Sequence, residues 1–240
     1  MIGLILAAGR GYRLSDLTKN KPKPFINLYK SKTIIDYQIS VLKRIKIKKI
    51  IIIVGYKKEF FYRKFKSDKK ISFIYNENWK TSNVLTSFSL ALKKLDNDFI
   101  FLHADSIAEI KLYEIFLKSK FSILPFKKKN SYPLEDMKLY MKKKKIYLTK
   151  KNISGLKPKG EFLGIALLKK ELLKELKKKD QVLKKNKNYL SFFFEDLVNR
   201  ISNKYILQTY DVKKLKFVEI DFKDDLDQAK VEFKNILSKI

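Results

Sequence analysis

Residues 4–24 read LILAAGRGYRLSDLTKNKPKP, an apolar strand that runs into a loop with two glycines and several cationic side chains. Gly9 and Gly11 allow positive φ and close approach of the backbone, so that successive N–H groups can turn toward an anion. Arg13 and Lys23 add full positive charges, and the prolines on either side of Lys23 stiffen the segment that carries it. The stretch therefore predicts a phosphate-binding loop after the first strand.

Two common phosphate-binding motifs do not match this loop. A Walker A loop needs Gly-Lys-Ser/Thr, and the dinucleotide-binding fingerprint needs a third glycine at the start of a helix. The longer pattern Leu-Ala-Ala-Gly-x-Gly-x-Arg-Leu-x-x-Leu-Thr-x-x-x-Pro-Lys-Pro resembles the signature loop of the nucleotidyltransferases that join an NTP to a phosphorylated small molecule. An ordinary glycine turn followed by a solvated basic loop is the alternative. The resemblance implies nucleotide contacts at Leu6, Ala7, Ala8, Gly9, Gly11, Arg13 and Lys23.

Length and composition bound the class of protein. The chain has 240 residues, of which 45% are hydrophobic, enough for a substantial core. The absence of cysteine excludes disulfides, Cys-ligated zinc and thiol catalysis. No secretory signal precedes the first strand, and no uninterrupted apolar run approaches about 18 residues. We expect one cytoplasmic domain over residues 1–240, with no membrane partner and with a homodimer as an option. The resemblance implies a nucleotide-binding half (about 1–120) and an acceptor-binding half (about 121–240).

The net charge of +30, from 55 Lys+Arg against 25 Asp+Glu, raises the question of a polyanionic partner. The lysines are spread through every segment, and the chain shows no Arg-rich stripe or RNA-binding aromatic signature. We interpret the lysine excess as a compositional bias and expect no nucleic-acid partner.

Strand and helix patterns alternate in the first half of the chain. Residues 34–45 place apolar side chains on one helical face, residues 50–54 form a continuous apolar strand, and a helical stretch at 57–65 precedes a strand at 71–75. The alternation predicts an α/β fold with a Rossmann-like doubly wound, mostly parallel sheet that binds ligands beyond the carboxyl ends of its strands. The resemblance implies a GT-A-like nucleotidyltransferase fold with a small β-rich acceptor-binding lobe.

Residues 75–87, YNENWKTSNVLTS, join the predicted third strand to a helix. Ser82 is the expected N-cap, while Asn83 and Ser87, one turn apart, offer an amide and a hydroxyl to a nucleobase edge. Sugar nucleotidyltransferases usually carry a Gly-Thr-Gly/Ala turn here, whereas this stretch resembles cytidylyltransferases that act on phosphocholine, aminoethylphosphonate and related phosphates. We therefore expect CTP to contact Asn78, Ser82, Asn83 and Ser87.

A predicted strand at residues 98–102 ends just before His103, Ala104 and Asp105. An acidic residue at this position faces the ligand crevice, so Asp105 is the leading candidate to bind Mg²⁺. The family usually has Gly-Asp here, and Ala104 leaves the carboxylate in place. Because His103 is the only histidine, a His-based triad or a multi-histidine metal site is excluded. We expect His103 to be a hydrogen-bonded structural group.

The resemblance also implies three acceptor-binding residues in the second half. Lys138 lies in a predicted hairpin, where relatives place a lysine on the acceptor phosphate; an exposed lysine is the alternative. Glu161 lies in a stretch similar to the family's Gly-Glu-Tyr-x-Gly strand. Glu195 falls where relatives place an acid, although its helix pattern favours a solvent-facing side chain.

Residues 217–229, FVEIDFKDDLDQA, predict a strand that runs into a helix. The stretch resembles the family's Glu-Ile-Asp-x-x-x-Asp-Leu-x-x-Ala motif, which implies that Asp221 is the second Mg²⁺ ligand; Asp224 is the expected helix cap. Asp105 and Asp221 should lie roughly 4–6 Å apart if one ion contacts both.

The reaction implied by the resemblance joins CTP to a phosphorylated small molecule and releases pyrophosphate. The acceptor phosphate has a second pKa near ~6, so it is already a dianionic nucleophile and needs no general base. Catalysis then depends on alignment and charge neutralisation by Arg13, Lys23, Asp105 and Asp221. Two alternatives are a pyrophosphorylase that uses UTP, dTTP or GTP with a sugar 1-phosphate, and a non-catalytic binder of nucleic acid or anionic membrane.

Overall fold

The computed structural model describes residues 1–238, which leaves the last two residues of the predicted domain outside the description. The strands, numbered along the chain, are β1 (Ile2–Ala7), β2 (Asn27–Tyr29), β3 (Lys32–Thr33), β4 (Lys49–Val54), β5 (Ile71–Tyr75), β6 (Phe99–His103), β7 (Ser106–Ala108), β8 (Ser122–Lys127), β9 (Lys138–Lys142), β10 (Lys145–Thr149), β11 (Gly160–Phe162), β12 (Ile165–Leu168), β13 (Leu207–Asp211) and β14 (Phe217–Glu219). The α-helices are α1 (Ser15–Thr18), α2 (Ile34–Arg44), α3 (Glu59–Phe65), α4 (Val84–Leu92), α5 (Ile110–Lys118), α6 (Leu173–Lys184), α7 (Phe194–Ile201) and α8 (Lys223–Leu237). Within residues 1–238, no helix is both long enough and apolar enough for a membrane span.

Four parallel strands in the order β5-β4-β1-β6 form the half of the sheet that carries the predicted nucleotide loop. All six residues of β1 and five of the six residues of β4 are buried, as expected for strands covered on both faces. Helices α2, α5 and α8 contribute to the hydrophobic core on one face, and α4, α6 and α7 contribute to the core on the other. The predicted α/β class and doubly wound sheet are confirmed.

The second half of the chain extends the same ten-stranded sheet with mainly antiparallel strands. Strand β12 pairs with β6, with Ile165 opposite Leu102, and β8, β11, β9 and β10 continue outward in antiparallel pairs. Strand β13 runs parallel to β8. The parallel arrangement therefore applies to the first half, and the sheet as a whole is mixed. The functional division near residue 120 stays a prediction.

A separate two-stranded ribbon brings the last strand of the chain to the predicted site. Strand β14 pairs antiparallel with β7, with Glu219 opposite Ser106. Just beyond this pair, the backbone N–H of Ile220 donates to the carbonyl oxygen of Asp105 at 3.0 Å. Asp221 therefore follows β14 at the same edge of the sheet where Asp105 follows β6.

The cap of α4 lies one residue later than predicted. Asn83, rather than Ser82, is the N-cap, and its Oδ1 accepts from the backbone N–H of Val84 at 2.8 Å. The Ser82 hydroxyl instead accepts from Asn76 Nδ2 at 3.2 Å. Both residue types are good caps, and here the Ser82 hydroxyl is engaged by Asn76 while Asn83 caps the helix.

The cap of α8 also differs from the prediction. Asp225 Oδ2 accepts from the backbone N–H groups of Asp221 and Phe222 at 2.9 and 2.7 Å, whereas Asp224 is exposed. Asp225 is the third residue of the helix and reaches back to its start, as in a capping box. The cap holds the backbone of Asp221 at the entrance to the helix.

Candidate active site

A cavity of about 400 Å³ opens beyond the carboxyl ends of β1 and β6, where doubly wound sheets bind ligands. Asp105 and Asp221 lie in its wall. The predicted nucleotide-binding residues that line it are Leu6, Ala7, Ala8, Gly9, Gly11, Arg13, Lys23, Ser82, Asn83 and Ser87. Asn78 lies outside this lining. The structure thus gathers the loop, the helix start and both acids around one space, and the role of each in binding stays a prediction.

The glycine loop takes its shape from Gly11. This residue has a φ of 75°, and a Cβ at this position would lie 2.8 Å from Lys23 Cδ, so a larger residue would collide with the lysine stem. Gly9 does not use the positive φ that a glycine allows. A Cβ at Gly9 would meet nothing within 4 Å, so this part of the loop is open to a ligand.

Lys23 bridges the two predicted metal-binding acids. Its side chain is buried, and Nζ donates to Asp105 Oδ2 and to Asp221 Oδ1, each at 2.7 Å. The two oxygens are therefore separated by no more than about twice a hydrogen-bond length. Arg13, which is more exposed, donates from its guanidinium to the other oxygen of Asp221. Two cations and two carboxylates thus meet at the cavity wall.

Burial and neighbouring charges act in opposite directions on the pKa values of Lys23 and Asp105. Burial by itself disfavours the Lys23 ammonium, but the neighbouring Asp105 and Asp221 carboxylates raise the pKa of Lys23 above its ordinary value. Burial by itself favours the neutral form of Asp105, but Lys23 and then His103 lower the pKa of Asp105 overall. Lys23 and Asp105 are therefore both charged at neutral pH.

A buried amide organises the other end of the cavity. Asn76 Nδ2 donates to the hydroxyls of Ser82 and Ser87 at 3.2 and 3.0 Å. Since these hydroxyls act as acceptors, each keeps its own proton for a ligand. Asn83 uses Oδ1 as the helix cap and donates from Nδ2 to the carbonyl of Ser191 at 3.3 Å. A base bound here would meet hydroxyl donors and one partly engaged amide.

A second cavity, of about 270 Å³, shares Asp221 with the first. Its ionisable lining consists of six carboxylates and two lysines: Glu135, Asp136, Glu161, Glu219, Asp221, Asp225, Lys127 and Lys129. This acidic excess contrasts with the net charge of +30 of the chain. The cavity suits a ligand group that carries positive charge.

Lys129 sits between two of these acids. Its Nζ lies 2.9 Å from Asp136 Oδ2 and 2.7 Å from Glu161 Oε2. Burial disfavours the ammonium, but these two hydrogen bonds raise the pKa of Lys129 overall. Burial also raises the pKa of Glu161, against the opposing effect of Lys129. Glu161, a predicted acceptor-binding residue, therefore lies in the wall of the second cavity, next to the first.

Comparison with known proteins agrees with this geometry. The family model described as nucleotidyl transferase matches residues 2–120, about half of the chain. The chain belongs to the nucleotidyltransferase superfamily. The matched part of this nucleotidyltransferase contains the glycine loop, the α4 start and Asp105.

Two relatives and one solved structure illustrate the similarity. The choline-phosphate cytidylyltransferase of Streptococcus pneumoniae is 40% identical over 101 residues, 42% of this chain and 43% of the relative, so the match spans less than half of that protein. The CTP:phosphoglutamine cytidylyltransferase of Campylobacter jejuni is 27% identical over 253 residues, 95% of this chain and 98% of the relative. The inositol-1-phosphate CTP transferase from T. maritima superposes with a TM-score of 0.76 at 17% identity, over 97% of this chain and 96% of that one, which supports the fold.

Two predicted acceptor-binding residues of this nucleotidyltransferase do not reach the acidic cavity. Lys138 is 1% exposed, and its Nζ donates to the carbonyls of Pro133 and Lys150 at 2.8 and 2.6 Å, because a buried ammonium needs acceptors. Glu195 is 2% exposed rather than solvent-facing, because the start of α7 packs against the sheet. Burial raises the pKa of Glu195, and its Oε2 has no hydrogen-bond partner among residues 1–238. The exposed alternative for Lys138 and the solvent-facing side chain expected for Glu195 are therefore wrong, while the assignment of both residues to the acceptor stays a prediction.

Three residues at the site were not predicted from the sequence. Asn76 directly follows β5, so the rule that ligands bind beyond strand ends would have found it. Glu219 ends β14 two residues before Asp221, and the same rule applies to it. Lys129 carries no such signal in a chain rich in lysine. His103 was predicted to be hydrogen-bonded, yet its Nε2 is buried without a partner in the described part of the chain.

The two acids suit the predicted Mg²⁺, which the family resemblance implies. Mg²⁺ prefers oxygen ligands and is commonly held by one or two carboxylates together with substrate phosphates. Asp105 and Asp221 supply such oxygens on one cavity wall, and Asp105 Oδ1 is buried with no hydrogen-bond partner within residues 1–238. These residues would hold the ion beside the space for the phosphates.

Proposed function

We propose that this protein is a Mg²⁺-dependent cytidylyltransferase that transfers CMP from CTP to a phosphorylated non-sugar molecule, such as phosphocholine or aminoethylphosphonate, and releases pyrophosphate. The observation that carries the proposal is the convergence of Arg13, Lys23, Asp105 and Asp221 at the glycine-loop cavity. Relatives named for choline-phosphate and phosphoglutamine cytidylyl transfer support CTP as the nucleotide.

The chemistry requires alignment and charge neutralisation. An oxygen of the acceptor phosphate attacks the α-phosphorus of CTP, and the bond from that phosphorus to the pyrophosphate oxygen breaks. The acceptor phosphate has a second pKa near ~6, so it enters as a dianion and no side chain has to remove a proton. The leaving pyrophosphate carries away the displaced electron pair. The protein therefore has to bring two polyanions together and hold them in line.

The side chains at the cavity match this requirement. The loop N–H groups and Arg13 would hold the triphosphate, and Lys23 would place a fixed positive charge beside the reacting phosphates. Because Asp105 and Asp221 hold the Lys23 ammonium from two directions, its position is set before substrate binds. Mg²⁺ on the two carboxylates would supply further neutralisation of phosphate charge.

The acidic second cavity supports an acceptor with a positive charge. We expect phosphocholine to react with a kcat/KM at least about 10-fold higher than its uncharged carbon isostere 3,3-dimethylbutyl phosphate, since about 1.4 kcal/mol of charge recognition gives a tenfold difference. Glu161→Gln should reduce this preference, because it removes a carboxylate from the cavity wall. Equal turnover of the two isosteres, or faster turnover of a sugar 1-phosphate, would contradict an acceptor of this class.

Base selection is tested at the start of α4. We expect Asn83→Ala to lower the preference for CTP over UTP, because this side chain lines the cavity and also caps the helix that carries Ser87. Asn83→Asp serves as the control, since it keeps a cap oxygen and removes the amide donor. Unchanged discrimination in Asn83→Ala, measured as the ratio of kcat/KM values, would remove Asn83 from base recognition.

The reaction as a whole is tested by pyrophosphate release over a grid of substrates. CTP, UTP, dTTP and GTP are each combined with phosphocholine, phosphoethanolamine, aminoethylphosphonate, glutamine phosphate, inositol phosphate and several sugar 1-phosphates. We expect the highest rates in the CTP row with non-sugar acceptors. The highest rates with UTP, dTTP or GTP and a sugar 1-phosphate would instead identify a nucleotide-sugar pyrophosphorylase.

A further inference from the structure

We infer that Asp180 is a positioning residue for base selection, because it anchors the segment that holds the start of α4 in place. Asp180 lies on α6, is 3% exposed, and lines neither the first nor the second cavity. The inference rests on the proposed function, in which Asn83 at the start of α4 meets the base of CTP. It adds a residue outside the binding site that determines how strictly this base is selected.

The Asp180 carboxylate joins three parts of the chain. Its Oδ2 accepts from Ser89 Oγ of α4 and from Lys184 Nζ of α6, each at 2.7 Å. Its Oδ1 accepts from the Tyr189 hydroxyl at 3.0 Å, in the stretch that follows α6. A buried carboxylate is costly unless hydrogen bonds and an opposite charge satisfy it. The contacts of Asp180 meet this requirement, and they hold residues 186–192, the capping segment, against α4 and α6.

The capping segment supplies backbone acceptors at the start of α4. The carbonyl oxygen of Leu190 accepts from the backbone N–H of Asn83 at 2.6 Å. The carbonyl oxygen of Phe192 accepts from the backbone N–H of Leu85 at 3.2 Å. Donors at the start of a helix have no partner within the helix, so acceptors from elsewhere fix its position. The capping segment therefore sets where α4 begins at the wall of the first cavity.

The same segment fixes the orientation of the Asn83 amide. Asn83 Nδ2 donates to the carbonyl oxygen of Ser191 at 3.3 Å, while Oδ1 accepts from the backbone N–H of Val84 at 2.8 Å. Rotation of the amide by 180° would break both hydrogen bonds. Cytosine presents an amino donor where uracil presents a carbonyl acceptor, so an amide free to rotate could satisfy either base. A displaced capping segment should therefore weaken the choice of CTP over UTP.

Glu175 provides a matched control on the same helix. It is also a buried acid of α6, and its carboxylate pairs with Lys179 at 3.6 Å and with Lys204 at 2.9 Å. These partners lie outside α4 and outside the capping segment. Removal of the Glu175 charge therefore perturbs α6 to a similar degree without affecting the hydrogen bonds that connect Asp180 to Asn83.

Nucleotide affinity tests the inference directly. Binding of CTP and of UTP is followed by the fluorescence of Trp79, the only tryptophan of the chain, which lines the first cavity. Asp180→Ala should lower the ratio of CTP affinity to UTP affinity by about 5-fold or more, within the range for residues that act through others. Tyr189→Phe, which keeps the ring and removes the hydrogen bond to Asp180, should lower this ratio by about 3-fold, the value of one hydrogen bond.

Turnover separates positioning from a general loss of structure. In Asp180→Ala and Tyr189→Phe, the KM for CTP should rise, whereas kcat should change by less than about 2-fold, because the base contributes to binding and the phosphates react. Asp180→Asn, which keeps one acceptor oxygen, should retain more of the affinity ratio than Asp180→Ala. Glu175→Gln should leave the ratio within about 2-fold of the parent value.

The outcomes distinguish this inference from the proposed function. Circular dichroism establishes that each variant is folded, and Tyr189→Phe carries the test if Asp180→Ala does not fold. The inference alone is overturned if the parent prefers CTP and folded Tyr189→Phe keeps the parent ratio, or if Glu175→Gln lowers the ratio as much as Asp180→Ala does. A parent that does not prefer CTP would overturn both the inference and the proposed nucleotide.

Discussion

Replacing Asp105 or Asp221 by asparagine is expected to abolish Mg²⁺-dependent pyrophosphate release from CTP, with kcat/KM falling by about 10³-fold or more. The two carboxylates lie on one wall of the cavity and both contact Lys23 Nζ. A metal that neutralises phosphate charge contributes several kcal/mol to the transition state, and about 1.4 kcal/mol corresponds to a factor of ten in rate. The double variant should be little worse than either single variant, because the two residues act as one unit.

The matched control is Asp224→Asn, which removes an exposed acid three residues from Asp221. This variant should keep its activity, because Asp225 rather than Asp224 caps α8. The measurement is kcat/KM for CTP at saturating acceptor, determined over a range of Mg²⁺ concentrations. Activity near that of the parent in folded Asp105→Asn or Asp221→Asn would exclude a shared metal site at this pair.

Arg13→Ala and Lys23→Ala are each expected to lower kcat/KM by on the order of 10², since a charge aimed at the transition state in such a site is worth about 3 kcal/mol. Both side chains line the cavity into which the glycine loop opens. Lys19→Ala is the matched control, because Lys19 lies on the same loop and is exposed. Parent-like activity in both cavity variants would mean that residues 4–24 form an ordinary glycine turn followed by a basic loop, and not a phosphate-binding loop.

The structure predicts that Arg13→Ala and Lys23→Ala differ in their effect on stability. A loop position alone suggests that both fold normally, but the Lys23 side chain is 9% exposed whereas that of Arg13 is 44% exposed. Lys23→Ala leaves the Asp105 carboxylate without its cation, and breaking a buried ion pair from one side is costly. We therefore expect a clearly lower Tm for Lys23→Ala and an almost unchanged Tm for Arg13→Ala, measured by thermal unfolding. Equal Tm values would mean that the Lys23 contacts contribute little to stability.

Local patterns predicted the parts of the site that depend on short stretches of chain. The apolar runs of β1 and β4 indicated strands buried on both faces, and the glycine loop and Asp105 follow directly from strand ends. The strand predictions succeeded because strand burial depends on periodicity, and the glycine loop and Asp105 lie at one cavity because parallel strands end at the same edge of the sheet. One kind of error concerned choices between neighbours, such as Ser82 or Asn83 as a cap, where both residues have the required chemistry.

Predictions failed where a residue's environment comes from distant segments. Lys138 and Glu195 have ordinary sequence contexts for exposed charges, yet the packing of the antiparallel strands and of α7 buries both. Nothing within a few residues of either position reports such packing. The acidic cavity could not be predicted for the same reason, since its carboxylates come from three separate stretches of the chain, residues 135–136, 161 and 219–225.

By itself, the sequence determined the α/β alternation, the glycine loop and the acids at the ends of strands, because each depends on residues that are neighbours along the chain. Only the tertiary structure decided that Lys23 lies between Asp105 and Asp221, and that His103 and Glu219 meet beside them. The reason is that the β7–β14 ribbon and the pairing of β6 with β12 set these distances, and long-range strand pairing has no signature in a local pattern.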